Sequence, residues 1–160
     1  MIFKSIVVVL IIGFVGLVAI SQLNKSTGDK DIKNTLVADR SNYDFGTISM
    51  KDGNVRHTYT VQNTGTEPVT INKLSTSCMC TKASLTVGGK TVGPFSMDGM
   101  GEAIPKIDVS IPAGEKGEVE AVYDPTAHGS AGIGNIERSV FLDSSTGART
   151  ELTFKTTVKP

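Results

Sequence analysis

"VRHTYTV", Val55 to Val61, decides the fold class. Val55, His57, Tyr59 and Val61 fall on one side of an extended chain, and Arg56, Thr58 and Thr60 on the other, so the period is two rather than 3.6. Such alternation describes a strand with one buried face. Working outward, Val69–Leu74, Ile107–Ile111, Glu118–Tyr123, Ile136–Leu142 and Glu151–Val158 have the same character, and Tyr43–Ile48 supplies a leading strand. Turn chemistry punctuates them at Asn63-Thr64-Gly65, Pro112-Ala113-Gly114 and Ser145-Thr146-Gly147. Seven short strands without an amphipathic helix between them predict an all-β, immunoglobulin-like β-sandwich over residues 36–160. The chain has no Trp and no widely spaced Cys pair, so the likeness to an antibody domain is one of architecture.

Upstream of the strands the composition changes. Ile6–Ile20, "IVVVLIIGFVGLVAI", lacks any polar side chain. As a helix this run reaches ~22 Å against a hydrocarbon core of ~30 Å; the flanking residues Phe3–Ser5 and Ser21–Leu23 make up the length, with Lys4 snorkelling to the headgroups. Residues 1–23 are therefore expected to be one N-terminal hydrophobic helix, either a single-pass anchor or a signal peptide cleaved at Ala19-Ile20-Ser21. No cysteine follows directly, which excludes a lipoprotein anchor. Lys25, Lys30, Lys33 and Arg40 follow the span while Lys4 precedes it, a bias toward a cytoplasmic C-terminal side. The four-residue tail is nevertheless the arrangement of an export signal, and the domain is expected on the extracytoplasmic side of the cell membrane, or periplasmic or secreted after cleavage. Ser21–Thr35, "SQLNKSTGDKDIKNT", is polar and mixed in charge; residues 24–35 read as a flexible linker. Residues 36–160 carry 12 Lys and Arg against 14 Asp and Glu, a balance of minus two that gives a nucleic acid nothing to hold.

The ordered set "YDFGTI" (Tyr43–Ile48), "YTVQNTG" (Tyr59–Gly65), "SCMCT" (Ser77–Thr81), "IPAGEKGEVEAVYDP" (Ile111–Pro125) and "ERSVFLDSS" (Glu137–Ser145) resembles the bacterial family called domain of unknown function 1573. The resemblance covers nearly all of residues 36–160 and implies an extracytoplasmic β-sandwich with a Cys-x-Cys signature. It implies little about activity. Residues 85–104 look longer than the family's usual connection at that place.

Cys78 and Cys80 are the only cysteines. Outside the cytoplasm two thiols with no other partner tend to oxidise or to be occupied. In a regular strand they would share a face with sulfurs too far apart for a relaxed disulfide; bonded, they would close a small, easily reduced ring. The readings left open are a ligand pair, two small core residues, and a redox or nucleophilic pair. A metal needs further donors, and two glycine-rich stretches offer them. "GPFSMDGMG" (Gly93–Gly101) carries Met97 and Met100, and "DPTAHGSAGIG" (Asp124–Gly134) carries His128. Thiolate, thioether and imidazole together suit copper, with zinc as the alternative. The expected site is Cys78, Cys80, Met97, Met100 and His128. His57 lies on the buried side of its strand and is read as structural.

A cysteine nucleophile needs a base and an orienting group, and neither histidine is near Cys78 in sequence. There is no Gly-x-Ser-x-Gly elbow or phosphate-binding glycine loop, and Glu115, Glu118 and Glu120 read as a solvated edge. The sequence thus points away from an enzyme and toward a tethered metal-binding module, an envelope protein-interaction or scaffolding sandwich, or a thiol-redox protein.

Overall fold

The computed structural model describes residues 34–99 and 103–160. Ten strands follow one another: β1 (Leu36–Ala38), β2 (Asn42–Ser49), β3 (Val55–Asn63), β4 (Val69–Thr76), β5 (Thr81–Val87), β6 (Lys90–Phe95), β7 (Val109–Ile111), β8 (Lys116–Tyr123), β9 (Gly134–Ser144) and β10 (Arg149–Lys159). They form two five-stranded sheets, in the orders β1-β3-β8-β5-β6 and β2-β10-β9-β4-β7. The fold is an all-β immunoglobulin-like sandwich. Among the described residues no helix is long and apolar enough to cross a membrane. The expected anchor or signal segment, and the linker up to Lys33, lie outside the described residues. Asn34 already belongs to the domain, its side-chain amide donating to the Arg149 carbonyl at 3.1 Å and to Thr150 Oγ1 at 3.0 Å.

All seven expected strands are present, and the alternation of Val55–Val61 works as read. Tyr59 and Val61 are buried and Arg56 and Thr58 are exposed. The inward residues of both sheets make one core, in which Val61, Ile71, Leu74, Leu85, Ile111, Val119, Val140 and Leu152 have no accessible surface. Two groups carry polar bonds through it. Tyr59 Oη donates to the Thr153 carbonyl of the other sheet at 2.7 Å, and burial raises its phenol well above the usual range. Asn63 is fully buried at the end of β3; its amide donates to the carbonyls of Glu67 (2.8 Å) and Ile111 (3.0 Å), while its Oδ1 accepts from the Gly65 N–H (3.0 Å).

Three strands were not expected: β1, β5 and β6. Residues 85–104, which look like a long connection, contain most of a hairpin. Val87 pairs with Lys90 across Gly88 and Gly89, whose φ angles of 56° and 78° are those of a two-residue turn that glycine adopts without strain. Ala83 and Leu85 are its inward positions and are buried.

Candidate functional site

The Cys-Met-Cys segment is a turn between β4 and β5. The Thr81 N–H donates to the Cys78 carbonyl at 3.1 Å, closing a four-residue turn with Met79 at its tip, 50% exposed. Thr76 Oγ1, buried at the end of β4, donates toward the carbonyls of Cys78 (2.9 Å) and Thr81 (3.0 Å) and so fastens both ends. The two cysteines are therefore not on one strand face, and they are joined in a disulfide, with Cα atoms 5.2 Å apart. Cys78 is 8% exposed and Cys80 2%.

Two other segments reach the sulfurs. β8 pairs with β5 as far as Tyr123 and Thr81, and the next amide, Asp124 N–H, donates to the Cys80 carbonyl at 2.9 Å. From there Asp124 Oδ1 accepts from the Thr126 N–H (2.8 Å) and from Thr126 Oγ1 (2.7 Å), turning the chain back at once. The short 3-10 turn Gly129–Gly132 follows. His128, exposed at its start, places Nε2 3.1 Å from Cys78 Sγ. The sulfurs of Cys78 and Cys80 and a ring nitrogen of His128 all lie within 4.8 Å of one another, a set of three donors able to hold a metal ion once the sulfurs are free.

The second approach comes from β9. Thr76 pairs with Val140, the Ser77 N–H donates to the Ser139 carbonyl at 2.9 Å, and the Ser139 N–H donates back to Ser77 Oγ at 2.9 Å. This register sets Arg138 beside the turn, where its Nε donates to Cys80 Sγ at 3.3 Å. Nη1 donates to the Glu137 carbonyl at 2.7 Å and fixes the guanidinium. Each sulfur thus has its own polar neighbour, an imidazole at Cys78 and a cation at Cys80.

The expected set is brought together only in part. Cys78, Cys80 and His128 meet. Met97 forms an isolated bridge with Thr76 and sits half-buried along a groove of 420 Å³ that also includes Met79, Phe95 and Ile104. Ser96 Oγ, donating toward the Thr81 carbonyl at 3.2 Å, holds that segment near the turn. Met100 lies outside the described residues. Arg138 was not expected at all. Its position follows from the β4–β9 register, and the sequence contains no local sign of it.

The sequence of residues 36–92 matches the family model described as "Protein of unknown function (DUF1573)". Those residues are similar to that family. The matched segment runs from β1 through the first half of β6 and includes the Cys-Met-Cys turn. No curated protein matches the chain. Among solved structures, a protein of unknown function from Porphyromonas gingivalis W83 is similar at 12% identity, over 76% of this chain and 46% of its own, with a TM-score of 0.54. The secreted serine protease VesC from Vibrio cholerae has 15% identity, covering 77% of this chain and 23% of its own, with a TM-score of 0.48. PapD-like domain 7 of human CEP192 has 11% identity, over 81% and 89%, also at 0.48. The chain spans less than half the length of the first two, and the first likeness bears on the fold alone.

Proposed function

We propose that the chain is a membrane-tethered, extracytoplasmic immunoglobulin-like domain that takes part in thiol–disulfide exchange through Cys78 and Cys80. One observation carries the reading: the disulfide joins the first and third residues of a four-residue turn, with His128 against one sulfur and Arg138 against the other. As a staple it would do little. Closing a ring of three residues removes only about 1.6 kcal/mol of unfolded-chain entropy, against about 3 kcal/mol for a fifteen-residue loop. The polar neighbours have a use in exchange that they lack in a staple.

Cys78 is the less deeply buried of the two residues, and we take it as the point of attack by an external thiol. The Cys78–Cys80 bond breaks, its electron pair leaves on Cys80 Sγ, and the Arg138 N–H stabilises the thiolate so formed. Histidine exchanges protons near neutral pH; His128 accepts the proton of the incoming thiol. A second external thiol attacks the outer sulfur of the mixed disulfide. The external disulfide departs, Cys78 leaves as a thiolate that takes its proton back from His128, and the second thiol's proton goes to solvent. Two thiols are oxidised and the pair is reduced by two electrons.

The test is equilibration of the full chain in glutathione buffers of graded ratio, followed by alkylation of free thiols and weighing of the protein. The reading expects a reversible two-thiol transition and, in Cys80→Ser, a glutathione adduct on Cys78. In Arg138→Leu the balance should move about tenfold toward the disulfide, or roughly 30 mV. A pair that opens only when the domain unfolds would show it to be structural.

A further inference from the structure

We infer that reduction converts the same turn into a site for one soft monovalent metal ion, bound by Cys78 Sγ, Cys80 Sγ and His128 Nε2, with Arg138 balancing its charge. The inference rests on the pair being reducible, as proposed above. Both sulfurs and a ring nitrogen of His128 already lie within 4.8 Å of one another, brought there by two separate parts of the chain, the β4–β5 turn and the loop after β8, while β9 sets Arg138 alongside. Two thiolates and one imidazole are a soft donor set. In the oxidised protein the sulfurs are bonded to each other and have no thiolate charge to offer, so the disulfide excludes the ion.

Charge selects the kind of ion. Two thiols release two protons on binding; with a monovalent ion the metal and two thiolates carry a net charge of minus one, and with a divalent ion they are neutral. Cys80 is 2% exposed and the guanidinium of Arg138 donates to it at 3.3 Å. A monovalent centre therefore makes a neutral ensemble with Arg138, whereas a divalent one leaves a cation without a counter-charge beside a buried group. Copper(I) fits this arrangement and zinc fits it less well. The structure places Met97 beside the turn through the Thr76 bridge, and the three-donor site is complete without it.

The test uses the full chain, reduced with a phosphine under anaerobic conditions and weighed as the free dithiol before any metal is added. Copper(I) is then supplied from a bicinchoninate chelate, with silver(I) and zinc(II) in parallel. The reduced protein should take one equivalent of copper(I) or silver(I), and the oxidised protein none. His128 is exposed, so His128→Ala should keep the fold and weaken copper(I) at least tenfold, while Arg138→Leu should weaken copper(I) more than zinc(II). A verified dithiol that takes up no copper(I) overturns the inference and leaves thiol exchange standing. Equal uptake by the oxidised protein overturns it too, and a pair that cannot be reduced in the folded chain removes both readings together.

Discussion

Single side chains carry the chemistry of this domain. At the Cys-Met-Cys turn, Cys78, Cys80 and His128 were legible as a group, because the only two cysteines of the chain and a histidine set among small residues are together a soft donor set. Arg138 was not legible, since its role depends on which residue of β9 lies opposite Ser77, and pairing register is a property of two strands at once. On β3, His57 stacks on Tyr43 with ring centroids 3.6 Å apart and meets Tyr59 edge-on at 4.7 Å. Burial, with the Arg40 cation adding to it, holds this imidazole below its ordinary value of 6.5. The unfolded chain then binds the proton more readily, so the contribution of His57 is fully present above pH 6.5 and is lost as pH falls through that value toward the depressed one. Unfolding free energy measured by denaturant titration should decline from pH 7 to 5, and His57→Gln should flatten that decline; an unchanged slope would remove His57 as its source. Asn63 predicts a larger effect without a pH dependence. Asn63→Ala leaves the carbonyls of Glu67 and Ile111 without their donor, at a cost of about 2–4 kcal/mol, and a loss below 1 kcal/mol would contradict the network.

At the level of elements, strands with strict alternation were readable and the hairpin was not. Val55–Val61 places branched and aromatic residues on one face only, so its pattern survives translation into burial. Thr81–Val87 puts Thr81 and the small Ala83 beside Leu85 and Val87 at its inward positions, a weakly apolar face, and β6 is an edge strand whose Gly93 and Pro94 weaken its pattern. The clearer sign lay between them. Gly88-Gly89 is the chemistry of a two-residue hairpin turn. Gly89→Val should cost about 1–2 kcal/mol by forcing a branched residue to φ near 78°; a neutral result in thermal unfolding would mean that the turn is not held in this form. Between the sheets, Tyr59→Phe removes the bond to the Thr153 carbonyl and should lower stability by about 1 kcal/mol with the fold unchanged by circular dichroism.

Taken whole, the domain uses its two sheets to bring together segments far apart in sequence: β4 and β9 share a sheet, β5 and β8 share the other, and the turn joining β4 to β5 meets the loop leaving β8. That is why two cysteines separated by one residue acquire neighbours 50 and 58 positions away. The expected tether belongs to this scale as well. An uncleaved residue 1–23 span keeps the intact chain with membranes through alkaline extraction, and a mature N-terminus at Gln22 would show cleavage instead. The central claim is that the Cys78–Cys80 bond is there to be opened, and the stability of the full chain with the pair oxidised and reduced tests it most directly. Thermal or denaturant unfolding of the two forms, each verified by mass, should be cooperative in both, with the reduced form weaker by no more than about 1.6 kcal/mol. Loss of cooperative unfolding on reduction, or a deficit of 3 kcal/mol or more, would show the disulfide to be a structural staple and contradict the account.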